Sequence, residues 1–422
     1  MMGLMEFLMR HRLCAEAYDW DEQLARFLHE MDAVRAGAKE SLKMIPMGLD
    51  IPELPERPVT VTTIDVGGTN VRSARVTLDQ TGMLDCARLP AFRTPGVGRR
   101  ITRQEFFRTI AEGVGEQLDT DRVGICFSLA ANPLPDGDAV VAAGAKQLDV
   151  QDLLGSRVGA CFREAASELG LRHDQRIVVI NDTIAAALGG RLDAGRGNYS
   201  GYIGFIYGTG TNIAYREPSG TIINVESGAY CGFPTGDIDD LYDRQHIDPG
   251  CDRFEKMVSG GYQGGLMTLV LETAEKEELL SKGFSERLAA ALAGRALGSP
   301  DISAFCESPM GEGCIARACA TGTDASVAAT ICAALTGRSA LLCSVTITAA
   351  LMRAGIGRSP SAPAFITAEG STYLRQAGFK EALDECMARC CCAPAPPTCR
   401  LPSTSTCRLP WPHSYVAHHH GP

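Results

Sequence analysis

At Val59 the chain changes rhythm, from apolar residues every three or four positions to apolar residues at every second one. Upstream, "EQLARFLHEMDAVRAGAKESLKM" sets its apolar residues at helical spacing and runs into the Pro-rich "MIPMGLDIPELPERP". Residues 1–58 therefore predict a helical lead-in and linker, expected to pack on the larger of two lobes. Downstream, "VTTIDV", "NVRSARVTL", "RVGICFSL" and "RIVVIND" read as strands, with helical patterns in "RQEFFRTIAEGVGEQL" and "SRVGACFREAASELG" between them. Strands alternating with helices predict an α/β lobe over 59–180. The pattern then restarts. "YSGYIGFIYGTGTNIAYRE" is again apolar strand, glycine tip and apolar strand, followed by helical stretches and a long Ala-rich run from Ala325 to Arg353. A second lobe is expected over 181–387. Two glycine-tipped hairpins, each opening an α/β lobe, predict a duplicated fold with a cleft between the lobes.

Composition narrows the partner. A chain of 422 residues, 45% hydrophobic, can bury a large core. A formal net charge of -10 argues against a polyanion, because nucleic-acid binders present a basic face. A small-molecule partner is expected, with no nucleic acid and no membrane. Glu6, Arg10 and Arg12 interrupt the apolar start that a signal peptide needs, and no uninterrupted stretch reads as long enough to span a bilayer. The seventeen cysteines are scattered, mostly in small-apolar contexts such as "AATICAAL". Buried free thiols in a reducing cytoplasm are the plain reading.

The glycine tips are the first candidate chemistry. Neither a P-loop nor a dinucleotide fingerprint is present. Glycine at a hairpin tip still lets backbone N–H groups approach phosphate oxygens, and the adjacent Thr adds a donor. A tight turn that needs positive φ is the competing reading. Asp65, at the strand end before the first tip, would repel a nucleotide unless a cation lay between them, which points to an outer-shell Mg²⁺ anchor. In "VVINDTIAAALGG", Asn181 and Asp182 follow a buried strand, and Thr183 is placed to cap the helix that follows. Asp182 reads equally as a helix cap or as a general base at a strand's C-terminal end.

Together these segments resemble the eukaryotic-type hexokinase and glucokinase family, from "SLKMIPMGLD" to "FITAEGSTYL". "IDVGGTNVR" is similar to its first phosphate motif, "VINDTIA" to its base-bearing motif, "IGFIYGTGTNIAY" to its second phosphate motif and "AEGSTY" to its adenosine motif. "DPGCDRFEKMVSGGYQGG" resembles the family's P-G-Q-Q-x-F-E-K-M-x-S-G-x-Y-x-G-E. The resemblance implies a two-lobed, duplicated ribonuclease H-like (actin-like ATPase) α/β fold with an interlobe cleft. It implies transfer of phosphate from ATP, with Mg²⁺, to the 6-hydroxyl of a hexose, glucose being the expected sugar. Asp182 would be the base, with Asn181, Asn212, Glu226 and Glu255 on the other hydroxyls, and Ser128 and Lys146 closing from the small lobe. Gly67, Gly68, Thr69, Asn70 and Arg72 would meet the phosphates from one hairpin and Gly208, Thr209 and Gly210 from the other. Gly370 and Ser371 would lie by the adenosine. Another sugar kinase of the superfamily and a non-catalytic hexose sensor stand as alternatives.

Departures from the family pattern fall near the sugar positions. "FSLAANP" replaces F-S-F-P, Ala145 replaces a Thr, Ser227 an aromatic, Cys251 and Asp252 two glutamines, and Gly265 a Glu. Residues 388–422, rich in Cys and Pro, show no helical period, and the family's further strand and closing helix are not matched. This tail is expected to be irregular and disordered, and its Cys–His spacings match no zinc site.

Overall fold

The computed structural model describes residues 2–47, 55–82, 84–142, 148–194, 198–390 and 399–400. Its contacts divide the chain into two units. One comprises Ile45–Asp193 with Ser219–Asn224, and the other comprises Met1–Met44, Ala194–Pro218 and the described residues from Val225 to Arg400. The lead-in forms α1 (Met2–Arg10) and α2 (Trp20–Arg35).

The first unit is built on β1 (Val59–Val66), β2 (Asn70–Leu78), β3 (Leu84–Arg88), β4 (Arg122–Phe127) and β5 (Arg176–Ile180), in the order β5-β4-β1-β2-β3. β1 and β2 form the antiparallel hairpin, while β4 and β5 run parallel to β1. Alternate residues of β1, namely Thr62, Ile64 and Val66, are buried, as a strand with one covered face requires. Ile64, Val123, Ile125 and Val179 pack in one cluster with Phe106 and Ile110 of α3 (Arg103–Val114) and Phe162 of α4 (Val158–Glu168). α5 (Asp182–Ala194) leaves directly from the end of β5. The boundaries expected at 58 and 180 therefore move to 44 and 193. Ile45–Met47 pairs with Ile222–Asn224, and α5 stays with the sheet it leaves.

The second unit repeats the topology. β6 (Gly201–Tyr207) and β7 (Thr211–Arg216) make the hairpin, β8 (Ala364–Glu369) runs parallel to β6, and β9 (Cys399–Arg400) runs parallel to β8. Between hairpin and β8 lie α6 (Asp237–Arg244), α7 (Arg253–Val258), α8 (Gly260–Lys276), α9 (Phe284–Leu292), α10 (Ser299–Glu307), α11 (Cys314–Ala318) and α12 (Gly322–Ala354). α13 (Ser371–Arg375) and α14 (Phe379–Cys390) follow β8. β9 holds the place that β5 holds in the first unit. The tail expected to be irregular from 388 is thus helical to Cys390 and contributes a strand. The open edge of β8 offers N–H and C=O groups to any neighbouring backbone, and composition matters less there than pairing. The other tail residues lie outside the described ones.

α12 is long and apolar enough to cross a membrane by length and composition, contrary to the expectation from the sequence, yet 72% of its most apolar window is buried inside the protein. It is a core helix, packed on α2, α14 and β7. Thr321 and Asp324 form a capping box at its start, and Gly355, at φ +69°, ends it. In its middle sits Arg338, with no solvent exposure. One guanidinium nitrogen donates to Asp239 Oδ2 at 2.9 Å and to the Arg12 carbonyl at 3.0 Å, and the other donates to the Met257 carbonyl at 3.0 Å. That one side chain ties the lead-in, α6 and the end of α7 to the core helix.

Candidate active site

Each unit carries its own set of candidate residues. In the first, strand register does the placing. Asp65 stands opposite Arg72 on β2 and opposite Cys126 on β4, and Ile180 stands opposite Cys126 from β5. Ser128 follows β4 and donates its N–H to the Val66 carbonyl at 3.2 Å. Asp65, Ser128, Asn181 and Asp182 therefore collect at one end of three parallel strands.

The carboxylate of Asp182 accepts from the Thr183 N–H at 2.7 Å and from the Thr183 hydroxyl at 3.2 Å, and the Ser128 hydroxyl also donates to it. Burial and then the negative charge of Asp65 push its carboxyl up to about 6, against the pull of those hydrogen bonds. Asp65 is likewise raised by burial, with the Arg72 guanidinium at 3.0 Å and the Cys126 thiol opposing the rise. Asn181 accepts from the Thr183 N–H at 2.9 Å through its side chain and from the Ala185 N–H at 2.9 Å through its carbonyl. The helix cap is thus Asn181, not Thr183 as expected. Thr183 lies inside α5, because Asn181 already supplies both the carbonyl and the side-chain oxygen a cap needs.

The two glycine tips share a device. None of Gly67, Gly68, Gly208 and Gly210 has positive φ, so the turn-geometry reading does not explain them. What both tips do is turn their carbonyls inward. Buried Thr94 donates its hydroxyl to Gly67 O at 2.7 Å and its N–H to Thr69 O at 3.0 Å, and Gly67 N–H reaches Asn70 O at 3.1 Å. In the second tip, Gly208 O accepts from the Gly260 N–H and the Thr372 hydroxyl, each at 2.9 Å, while Thr209 O accepts from the Gly261 N–H at 3.0 Å and Gly210 O from the Gly208 N–H at 2.9 Å. With their carbonyls occupied, the tips keep acceptor charge away from an approaching anion. The start of α8 and Thr372 thus brace the second tip, and Thr94 braces the first. The doubled glycine of "VSGGYQGG" signalled the α8 contact, since a Cβ on Gly261 would stand 2.7 Å from Thr209 O. Nothing in the sequence signalled Thr94.

Gly370, at φ +122°, lies against the same tip, and a Cβ there would come within 2.2 Å of Tyr207 O. Gly370→Ala should cost about 1–3 kcal/mol of stability, since both conformation and space oppose it. Urea unfolding checks this, and an unchanged midpoint contradicts it. Ser371 follows as the first residue of α13.

The remaining residues of the second unit form a polar group around β7. Asn212 accepts the N–H groups of Ile213 at 2.7 Å and Ser227 at 3.2 Å, and its amide donates to Glu226 at 3.4 Å. Glu226 sits at φ 54°, ψ 50°, a left-handed conformation that costs a non-glycine residue about 1–3 kcal/mol and concentrates at functional sites. Glu255, on α7, accepts the Thr211 N–H at 3.2 Å, and a Cβ on Gly210 would lie 2.4 Å from its Oε2, so a larger residue there would push the carboxylate aside. Asn212, Glu226 and Glu255 are thus brought together beside the second tip. Lys146 lies outside the described residues.

For Mg²⁺ the donor set fits one role. Asp65 and Asp182 offer the hard oxygens that this cation prefers, and their mutual repulsion favours a positive charge beside them. Among the described residues no group of three or more His, Cys, Asp or Glu side chains could hold a metal ion. Two such carboxylates suit a cation that would keep most of its own waters.

Comparison with known proteins bears on the family and the fold. The chain is 30% identical over 288 residues to the chloroplastic Hexokinase-4 of Oryza sativa subsp. japonica, covering 60% of this chain and 54% of that protein. It is 26% identical over 369 residues to Hexokinase-2 of Rattus norvegicus, covering 77% of this chain and 38% of the relative. The chain thus spans about half or less of these relatives' length. A solved hexokinase from Schistosoma mansoni complexed with glucose superposes with a TM-score of 0.72 at 19% identity, over 92% of both chains. A second solved hexokinase gives 0.67 at 22% identity, over 86% of both. These likenesses establish the actin-like ATPase fold. Two family models described as hexokinase match residues 9–192 and 202–401, nearly the whole described chain, and with them the chain belongs to the hexokinase family.

Proposed function

We propose that the chain is an ATP-dependent hexokinase that phosphorylates the 6-hydroxyl of a hexose, with glucose the expected sugar, and that it acts in the cytoplasm. The observation that carries this reading is Asp182. Its carboxyl, held by Ser128 and Thr183 at the end of β5, is pushed up to about 6, so at neutral pH it is ionised yet basic enough to take a hydroxyl proton. As that proton passes to Asp182, the 6-oxygen bonds the γ-phosphorus of ATP and ADP leaves. Phosphoryl transfer needs positioning and charge neutralisation more than covalent help. The tips at Gly67–Asn70 and Gly208–Gly210 would bind phosphates through N–H groups other than those of Gly67 and Gly208, which already donate to Asn70 O and Gly210 O. Arg72, paired with Asp65 at 3.0 Å, would lie beside them. Lys146 and Ser128 would orient the sugar. Gly370 and Ser371 would take the adenosine. Mg²⁺, when bound, neutralises phosphate charge, with Asp65 as its water-mediated anchor.

A hexose presents a ring of hydroxyls, each of which needs a partner once water leaves. Asn181, Asn212, Glu226 and Glu255 supply those partners in this reading. Glu226→Gln and Glu255→Gln should each raise the KM for hexose about 5- to 150-fold, equivalent to about 1–3 kcal/mol, with the KM for ATP little changed. A larger effect on ATP overturns the assignment. The reading as a whole is tested by ADP release across a panel of hexoses. Hexose-dependent release supports the kinase. Sugar-induced thermal protection without ADP release favours the hexose sensor, and release with non-hexose acceptors alone favours another kinase.

A further inference from the structure

Two of the cysteines lie together beside the Glu226 and Glu255 segments, and nothing in the phosphoryl-transfer reading uses them. Cys231 comes five residues after Glu226, and Cys251 comes four before Glu255. The half-buried Cys231 thiol lies 3.3 Å from the Ala229 carbonyl and 3.3 Å from the carbonyl of Gly250, the residue bonded to Cys251. Beside this contact, the Phe254 N–H donates to Tyr230 O at 3.0 Å, so the two segments are also joined backbone to backbone. Cys251 is exposed, and both thiols are free. Gly250, at φ +84°, gives the Cys251 segment a glycine hinge next to the Cys231 sulfur. These contacts set the Cys231 sulfur against the peptide group that leads into Cys251, the placement from which a disulfide between the two is inferred.

We propose that Cys231 and Cys251 form an oxidisable dithiol site whose partner is a low-molecular-weight disulfide. The Cys251 thiol loses its proton and its sulfur attacks one sulfur of the reagent, forming a mixed disulfide and releasing one reagent thiol. The Cys231 sulfur then attacks the Cys251 sulfur, losing its own proton and expelling the second reagent thiol. Two protein thiols are oxidised, and one small disulfide is reduced to two thiols. The division of roles follows from exposure. Burial raises the Cys231 thiol, which suits it to the second, intramolecular step, where proximity replaces thiolate content. Among the described residues, Cys332, next to Cys306, lacks this access, because it is fully buried between helices.

Closing the bond draws the Cys231 sulfur off both carbonyls and ties the turn after Glu226 to the segment leading into Glu255. The expected consequence is a raised KM for hexose with the KM for ATP unchanged. This consequence rests on the hexokinase reading, whereas the disulfide does not.

Treating the full chain with oxidised glutathione, then alkylating and mapping peptides, tests the site. In the wild-type chain the peptides of Cys231 and Cys251 should lose their alkylatable thiols and be joined to each other, with no lasting glutathione on either. Cys231→Ser should retain one glutathione on Cys251, and Cys251→Ser should leave Cys231 alkylatable. A lasting adduct on wild-type Cys251, a disulfide elsewhere with Cys231 still alkylatable, or no reaction would each overturn the proposal. A mapped cross-link that leaves the KM for hexose unmoved would overturn the link to the sugar segments.

Discussion

Asp182→Ala lowers kcat by about 10²- to 10⁴-fold, the usual worth of a general base, while hexose binding largely persists. The pH profile carries the same claim. Because the Asp182 carboxyl is pushed up to about 6, the base is protonated and lost below that pH, so kcat/KM should fall on the acid side of about pH 6 and level off above it. Stability should move the opposite way. A carboxyl whose pKa is raised by folding binds its proton more tightly in the native chain, so ionising it costs stability as pH rises from the unfolded value through about 6. Asp182→Asn keeps an acceptor for the Thr183 N–H and removes that cost. At pH 7 it should unfold no earlier than the wild type while losing turnover. Near wild-type kcat in either variant contradicts the assignment, and a large drop in the unfolding midpoint of Asp182→Asn would make its role structural.

The second large effect is on stability. Arg338→Met leaves Asp239, itself 5% exposed, as an uncompensated buried charge. Breaking such a pair from one side costs about 3–5 kcal/mol. The loss should also remove a donor from the Met257 carbonyl and leave the Arg12 carbonyl with the Tyr18 hydroxyl at 3.1 Å. Adding Asp239→Asn to Arg338→Met should recover part of the loss, since the orphaned charge goes while Asn can still accept the Gly236 N–H that Asp239 holds at 3.0 Å. Urea unfolding of the two single variants and the double variant measures the coupling. Additive losses, with no recovery, would show that the pair does not act as one unit.

What the sequence disclosed was whatever local periodicity and special residues encode. Both hairpins were legible because β-branched runs flank bare glycines, and Asp65 and Asp182 because each ends an apolar strand. The tertiary supports were not. Thr94 looks like any loop threonine until its hydroxyl and N–H are seen on Gly67 and Thr69. Arg338 interrupts an Ala-rich run as one polar residue among many, and only Asp239, Arg12 and Met257, all distant in sequence, give it meaning. The helix cap fell to Asn181 instead of Thr183 because Asn181 supplies both the side-chain oxygen for the Thr183 N–H and the carbonyl for the Ala185 N–H. The strand at Cys399–Arg400 was hidden because a sheet edge selects backbone, and the Cys- and Pro-rich composition around it reads as irregular.

The most direct test of the central claim is a phosphorus NMR assay of the purified chain with Mg²⁺, ATP and glucose. The account predicts a hexose phosphate carrying its phosphate on the 6-oxygen, formed only with all three present and strongly reduced in Asp182→Asn. Glucose binding without phosphate transfer, transfer to another oxygen, or undiminished transfer in Asp182→Asn would contradict it.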